Sequence, residues 1–409
     1  AGDVIRVADF PSYPLTIYIH DGVPAGCPSE ESFQLTLNPS CEFITTWRTT
    51  APNESISIPM SGGGAYNYNV DWGDGYITTG ATGVVTHSYL VAGDYQVTIT
   101  GTFPEINFGV SVAPNSQKIR SIDQWGCNLW TSMEYAFYGC SNLVINASDT
   151  PNLTNVTDAS RMFEKCTTLG GGSGNWNWDT STIIDMRRMF FEADNFNKDI
   201  GTWDTGNVTN MLQMFYLANA FNQNINSWNT GAVTNMSQMF GLAPAFNQPL
   251  NNWDVSSVTD FSAMFYYATL FNQDLGNWIT SAAINMNGMF TGAHAFNQNI
   301  GAWDTSNVVV MSGMFSDARV FNQDLRNWDT SNVVDMVAMF RVAVLFDQDL
   351  GNWNVENVTD ATIMFDGVTL STPNYDSLLI GWDAQNLQPN VPFHGGFSKY
   401  CAGESARAN

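Results

Sequence analysis

A tryptophan recurs every 25 residues through much of this 409-residue chain, and this period constrains the fold more than any other feature. The ladder comprises Trp178, Trp203, Trp228, Trp253, Trp278, Trp303, Trp328 and Trp353. A phenylalanine follows each of these tryptophans by 12 residues, from Phe190 to Phe365. A fixed period with recurring apolar positions predicts a solenoid, because one coil cannot bury its own apolar face and must stack on the next.

Each unit approximates W-D-T-S-N-V-T-N-M-x-x-M-F-x-x-A-x-x-F-N-Q-D-L-G-N. We expect a short strand near residues 208–211, pairing in parallel with its neighbours at about 4.8 Å. The M-F-x-x-A segment predicts a helical or 3₁₀ turn that directs Met214, Phe215 and Ala218 into the core. Asn222 and its equivalents are expected to be buried and to bridge adjacent coils, since an amide both donates and accepts.

The composition excludes several classes of protein. The formal charge is 14 − 38 = −24, which argues against nucleic acid and against anionic lipid as partners. No apolar run is long enough to span a membrane, so direct membrane insertion is not expected. Hydrophobic residues make up 44% of the chain, enough for a sizeable core. The start at Ala1 fits a processed N-terminus.

The run NVTNMLQMFYLANAFNQNINSWNTGAVTNMSQMF resembles the repeat of the BspA-like leucine-rich-repeat surface proteins of Bacteroidetes, mycoplasmas and other microbes. The resemblance extends over roughly residues 120–370. It implies a secreted or surface-anchored solenoid used in adhesion or protein binding. No binding residue is fixed by the motif of that family, so none is carried over.

Residues 46–102 contain VDWGDG, followed by HSYLVAGDYQVTIT, in which Tyr95, Val97 and Ile99 alternate as in a half-buried strand. This pair of motifs resembles a PKD-type domain, a small immunoglobulin-like β-sandwich. The resemblance implies an extracellular spacer with Trp72 in its core and glycines shaping the turn. Asp71 and Asp74 are candidate Ca²⁺ ligands, although such carboxylates more often cap backbone N–H groups.

The six cysteines are compatible with an oxidising compartment. Cys27 and Cys41 are predicted to form a local disulfide, because residues 1–45 are too few for a core of their own. Cys140 and Cys166 follow Phe137 and Phe163 by three residues, which is the alanine position of neighbouring coils. They are within reach of a disulfide or are two buried thiols acting as small apolar groups.

The chain thus divides into five segments: an N-terminal segment or linker (1–45), a PKD-like β-sandwich (46–102), an N-terminal cap with irregular repeats (103–177), the regular repeats (178–370) and a C-terminal cap (371–409). The whole is expected to be mainly β. In the last segment, residues 375–382 predict an amphipathic helix that covers the open end of the repeats.

Binding residues are expected where the repeat varies beside the alanine ladder. The candidates are Tyr216, Tyr266, Tyr267, Arg319 and Arg341, since Tyr and Arg are favoured at interfaces. An ordinary solvated face is the alternative.

No nucleophile, P-loop or metal-ligand spacing occurs, and the acidic residues recur as structural ladders. We therefore expect a non-enzymatic extracellular or cell-surface protein, without cofactor, that binds protein or glycan. The alternatives are a structural subunit or cargo of a surface or secretion assembly and, third, a carbohydrate-active enzyme.

Overall fold

The computed structural model describes residues 16–18, 32–34, 41–61, 64–109 and 115–408. They belong to two compact units, residues 1–41 and 42–409. In the first unit, β1 (Thr16–Tyr18) pairs antiparallel with β2 (Ser32–Gln34). The other helices and strands of the described residues lie in the second unit, which is mainly β with two α-helices and a short 3₁₀ helix, Asn115–Gln117.

The second unit begins with eight strands that form two sheets. They are β3 (Phe43–Thr49), β4 (Glu54–Ser57), β5 (Asn67–Asp71), β6 (Ile77–Ala81), β7 (Thr86–Tyr89), β8 (Gly93–Thr102), β9 (Ile119–Gln124) and β10 (Val144–Ile145). The larger sheet has the order β10-β9-β3-β8-β5-β6, and β4 pairs with β7. Alternate residues of β3 are buried, from Phe43 to Thr49, as expected for a strand with one face on a core.

The predicted features of residues 70–99 are confirmed. Trp72 is 1% exposed in the core, and the turn after β5 contains Gly73 and Gly75, both at positive φ. The two candidate Ca²⁺ ligands have protein partners. Asp71 accepts the N–H of Gly73 at 2.9 Å, and Asp74 accepts the N–H of Tyr76 at 3.2 Å and contacts His87 Nε2 at 2.8 Å.

The larger sheet crosses the sequence-derived boundary at residue 102. Strand β9 pairs antiparallel with β3 on one side and parallel with β10, in the first coil, on the other. One continuous apolar core runs from Phe43 to Leu379. The N-terminal sheets therefore close the first coil, so that its apolar side is covered.

The coils meet through single-residue parallel bridges, so the predicted parallel pairing at residues 208–211 is confirmed, whereas the predicted strand there is wrong because only Asn210 forms a bridge. The bridges join Asp158, Asp185, Asn210, Asn235, Asp260, Asn285, Val310, Asp335 and Asp360 in succession. The Oδ1 atom of Asn210 accepts the N–H of Leu212 at 3.1 Å. This local hydrogen bond turns the backbone away directly after the bridge, as Asx turns do.

The predicted helical or 3₁₀ turn is also wrong, because residues 211–218 form consecutive β-turns. The N–H of Met214 donates to Met211 O and that of Ala218 to Phe215 O, while Gln213 and Leu217 have φ of 55° and 59°. Positive φ at the third residue is the geometry of a type II turn.

Positive φ recurs at these two positions in every coil, and it directs alternate N–H groups to the next coil. Met211, Gln213, Phe215 and Leu217 donate to the carbonyls of residues 235, 237, 239 and 241 at 2.9–3.0 Å. The first position holds Tyr135, Arg161, Arg188, Gln213, Gln238, Ala263, Gly288, Gly313, Ala338 and Ile363. The second holds Gly139, Lys165, Glu192, Leu217, Leu242, Tyr267, Gly292, Asp317, Val342 and Gly367.

Side chains add further ladders between coils. Trp253 Nε1 donates to Ile225 O of the preceding coil at 3.0 Å, and Trp228, Trp278, Trp303, Trp328 and Trp353 make the equivalent bond. Buried Thr205 donates to Asn229 O of the following coil at 2.8 Å. The asparagine prediction is right about bridging and wrong about burial: Asn222 Oδ1 accepts from Asn247 N, and these amides are half-buried or exposed.

Helix α1 (Thr372–Asp383) ends the stack and confirms the predicted cap helix. Leu378 and Leu379 are buried against the last coil. The helix also continues two ladders: Trp382 Nε1 donates to Leu350 O at 3.1 Å, and the N–H of Ser371 donates to Asp347 Oδ1 at 2.8 Å. A short helix α2 (Glu404–Ala408) follows.

Cys41 and Cys127 are each disulfide-bonded, whereas Cys140, Cys166 and Cys401 are free. Cys27 lies outside the described residues, so its proposed pairing with Cys41 stays a prediction. Cys140 and Cys166 are fully buried, and Cys166 Sγ donates to Phe137 O at 3.0 Å. Cys140 and Cys166 are therefore two buried thiols and do not form a disulfide.

We expect Ile363→Gly to raise the free energy of unfolding, because a β-branched residue at φ 50° is strained. The left-handed conformation costs an L-residue about 1–2 kcal/mol, more than the entropy that glycine loses on folding. The matched control is Ile284→Gly, since Ile284 is similarly exposed, 49% against 38%, and lacks positive φ. Thermal denaturation should show opposite shifts, and a decrease in both variants would contradict the strain.

Glu54→Gln tests a pH-dependent contact of the N-terminal sheets. Hydrogen bonds from the N–H of Thr50 and from Lys118 hold the pKa of Glu54 down at about 2. The ionised carboxylate therefore stabilises the fold above about pH 4.5, and this contribution disappears as the pH falls through about 2. The unfolding temperature of Glu54→Gln should lie below that of the parent at pH 7 and match it near pH 2. An equal difference at both pH values would exclude this role.

Candidate interaction face

The first, second and fourth residues after one phenylalanine of each coil form a surface that we call the turn face. Ten phenylalanines define it: Phe137, Phe163, Phe190, Phe215, Phe240, Phe265, Phe290, Phe315, Phe340 and Phe365. All ten are fully buried, and the backbone around them repeats from coil to coil. The side chains of the turn face change from one coil to the next, so a constant scaffold carries a variable surface. All five candidate binding residues lie on it.

Tyr216 is half-buried between its neighbours along the stack. Its ring stacks on that of Phe191, with centroids 5.1 Å apart and planes 11° from parallel. Its other neighbour is Gly241, where a Cβ atom would lie only 2.8 Å from the tyrosine ring. Burial raises the pKa of Tyr216, and nearby Tyr266 and Glu192 raise it further. The ring is thus held by packing between two adjacent coils and remains partly exposed.

Tyr267 packs in the same way, although it is the second residue after its phenylalanine, Phe265, whereas Tyr216 is the first after Phe215. Its ring occupies the space beside Gly292, where a Cβ atom would lie 2.7 Å away. It packs edge-on to Tyr266, at 4.8 Å, and to His294, at 6.1 Å. The two candidate tyrosines of this coil therefore belong to one aromatic cluster with His294.

A charged group continues the cluster toward the C-terminus. Asp317 contacts His294 Nε2 at 2.9 Å and Arg319 Nε at 2.8 Å. Burial by itself raises the pKa of Asp317, but hydrogen bonds from Arg319 and His294 outweigh it and leave the pKa below its usual value. Arg319 is therefore engaged in an ion pair, although about half of its side chain is exposed.

Arg341 lies apart from this group, two coils beyond Gly292 on the same face. It pairs with Asp366 at 3.4 Å, and both side chains are more than 40% exposed. An exposed pair of this kind adds little to stability, so Arg341 can exchange its carboxylate partner. The structure thus brings Tyr266 and Tyr267 together with Arg319 and leaves Arg341 separate.

The first coils carry an aromatic and charged cluster that the sequence did not reveal. The Arg161 guanidinium lies over the Tyr135 ring at 5.0 Å, and Arg188 lies over Phe191 at 4.0 Å. Lys165 is 5.8 Å from the Tyr138 ring. Extending the phenylalanine register back to Phe137 and Phe163 would have placed Tyr138 and Lys165 on the turn face. Tyr135, Arg161 and Arg188 lie beside it, at the first positive-φ position of their coils.

Glu164 lies beneath this cluster with 2% of its side chain exposed. Arg188 Nη2 contacts its Oε1 at 2.8 Å, and Arg161 is 3.9 Å from Oε2. Burial raises the pKa of Glu164 against the opposing charges of Arg188 and Arg161. The hydrogen bond to Glu164 orients Arg188 over the Phe191 ring, whereas Arg161 interacts with Glu164 only through its charge.

Within the described parts of the chain, no group of three or more His, Cys, Asp and Glu side chains is placed to hold a metal ion. Over the same residues, no helix combines the length and the apolarity needed to cross a bilayer.

The profile of a family described as "Mycoplasma protein of unknown function, DUF285" matches four overlapping segments of the chain: residues 114–177, 131–231, 175–278 and 268–377. Together they span residues 114–377, well over half of the chain, and the repeated match agrees with the stacked coils. Comparison with curated proteins and with solved structures found no match.

Gly241→Ala tests the packing of Tyr216. The new Cβ atom would displace the ring, and we expect a destabilisation of about 1 kcal/mol. In a Tyr216→Ala background the same change should cost almost nothing, because the obstructing ring is gone. Chemical denaturation of the four proteins of this cycle measures the coupling.

The control is Gly83→Ala, where nothing lies within 4 Å of the added atom. It should leave the unfolding midpoint unchanged. Equal costs of Gly241→Ala in both backgrounds would mean that Tyr216 does not occupy that space.

Proposed function

Since the chain belongs to the DUF285 family, we propose that it is a non-catalytic binding protein, secreted or held at the cell surface, whose turn face binds a protein or glycan partner. The turn face carries the proposal: one repeated backbone presents different aromatic and charged side chains along ten coils. In such a surface each side chain can change while the geometry is kept. This property suits recognition of an extended partner.

The residue types of the face support binding. Tyr216, Tyr266, Tyr267 and Arg319 stand among half-buried rings and paired charges. Tyrosine and arginine dominate the energetic centres of interfaces, and packed rings lose little entropy when a partner docks.

Several features support an extracellular setting. Disulfide-bonded Cys41 and Cys127 are typical of an oxidising compartment. The charge of −24 disfavours nucleic acid as a partner. The resemblance of the repeats to BspA-like surface proteins points the same way.

We further propose that the coils form a leucine-rich-repeat-type solenoid and that the N-terminal sheets form a PKD-like β-sandwich. The bridges 25 residues apart support the first assignment. Trp72 in the core beside the glycine turn supports the second. Strand β10 of the first coil belongs to the larger N-terminal sheet. This sheet would therefore hold the first coil rigidly and present the turn face at a fixed orientation.

A second candidate is a structural subunit or cargo of a surface assembly, in which the coils act as a spacer. The observation that favours it is the packing of Tyr216 and Tyr267 beside glycines of the following coil. In that case the tyrosines serve the stack itself, and their loss would weaken folding without affecting a partner.

Binding of the purified chain to a panel of extracellular-matrix proteins and glycans separates these functions. We expect one class of ligand to be retained, and the double variant Tyr216→Ala with Tyr267→Ala to weaken it at least about tenfold, as loss of hot-spot side chains does. Biolayer interferometry gives the affinities.

The matched control is Thr234→Ala with Thr259→Ala, two exposed residues that directly precede the bridge residues Asn235 and Asp260 and lie outside the turn face. It should bind within about twofold of the parent. If both double variants bind equally, the turn face is not the interface. If the panel fails and the chain instead copurifies at stoichiometric levels with one surface assembly, the structural function is the correct one.

A further inference from the structure

The C-terminal end of the stack is closed by two different elements. Helix α1 packs on the last coil through Leu378, Leu379 and Trp382. Beyond it the chain returns across the same end, where the N–H of Ala361 donates to Pro392 O at 3.1 Å and that of Phe365 to His394 O at 3.2 Å. These bonds take the place of those that a further coil would accept.

The returning segment supplies the backbone of a further coil without its side chains. A regular coil buries two methionines, two phenylalanines and an alanine, as Met336, Met339, Phe340, Ala343 and Phe346 do. At the corresponding end position, Phe393 packs edge-on against Trp382 at 5.5 Å and Phe365 at 6.2 Å. Part of the interior is therefore left unfilled.

The unfilled space is a cavity of about 510 Å³. Its floor consists of Met336, Val355, Val358 and Ala361, and its wall is formed by Leu378, Leu379 and Trp382. This volume lies within the range of about 300–1,000 Å³ typical of small-molecule sites. Its floor and wall are apolar and the rest of its lining includes polar side chains, the combination that small-molecule sites have.

The mouth of the cavity is polar. Asp383, Gln388, Asn390 and Arg407 line it. The Gln388 amide donates to Glu356 O at 2.8 Å, which fixes that side of the opening. Asp376 accepts the N–H groups of residues 401–403 and so fastens the following segment to α1. The walls are thus held by hydrogen bonds, and the opening offers both donors and acceptors.

We propose that this cavity is a binding site for a small amphipathic molecule, whose aromatic ring or short hydrocarbon chain lies on the Val358–Ala361 floor and whose polar group faces the mouth. The site is independent of the turn face. It would serve as a receptor pocket at the end of the stack, and its occupant would replace the missing side chains of a further coil.

The test uses the full chain and prodan, a neutral fluorophore whose emission shifts to the blue in apolar surroundings. We expect saturable binding of one molecule per chain with a blue shift and a rise in unfolding temperature with prodan concentration. Val358→Phe places a ring in the cavity and should weaken binding at least about tenfold. It should also raise the unfolding temperature of the unliganded protein, which a merely damaged fold would not do.

Val391→Trp fills the same space from the returning segment and decides the question if Val358→Phe does not fold. Leu345→Trp is the matched control, since Leu345 is exposed and does not line the cavity. It should leave the affinity unchanged. The proposal is overturned if the parent binds no prodan saturably, or if a folded filled variant binds it as tightly as the parent.

Discussion

The register between coils depends on two left-handed residues in every turn segment. They let alternate N–H groups close type II turns within a coil while the others donate to the next coil. The positions accept Gln213, Leu217 and even Val342, although each L-residue there is strained. The strain persists because the buried phenylalanine between the two positions stacks on its equivalents, for example Phe215 on Phe240 at 5.7 Å, and fixes the height of each coil.

At both ends of the stack, the hydrogen bonds and the apolar contacts that a neighbouring coil would supply must come from another element. Every ladder bond in the interior has a partner in the neighbouring coil, so a terminal coil would expose carbonyls and an apolar layer. At the N-terminal end β9 extends a sheet that is paired with β10. At the C-terminal end Trp382 reproduces the tryptophan bond from within a helix. The helix and the returning segment provide hydrogen-bond partners for the backbone of the last coil. They do not fill the volume that the side chains of a further coil would occupy, and the cavity remains there.

The side chains of the turn face are positioned by contacts between adjacent coils. Gly241 and Gly292 make room for the rings of Tyr216 and Tyr267, so a change at one coil determines the orientation of a side chain from the coil before it. Ion pairs such as Asp317 with Arg319 hold the charged groups in the same way. Much of the surface chemistry is therefore set by pairs of adjacent coils rather than by single repeats.

The sequence by itself determined the period, the apolar positions, the cap helix and the strands around Trp72, because buried residues recur with the spacing that each structure imposes. It also located the five candidate binding residues on one face. Only the tertiary structure decided that the coils meet at single-residue bridges, that Arg319 and Arg341 already have carboxylate partners, and that the N-terminal sheets continue into the repeats. The physical reason is that a 25-residue pattern records which side chains are buried. The sign of φ, the rotation of a ring and the pairing of β9 with β3 and β10 depend instead on neighbours that are brought together by stacking.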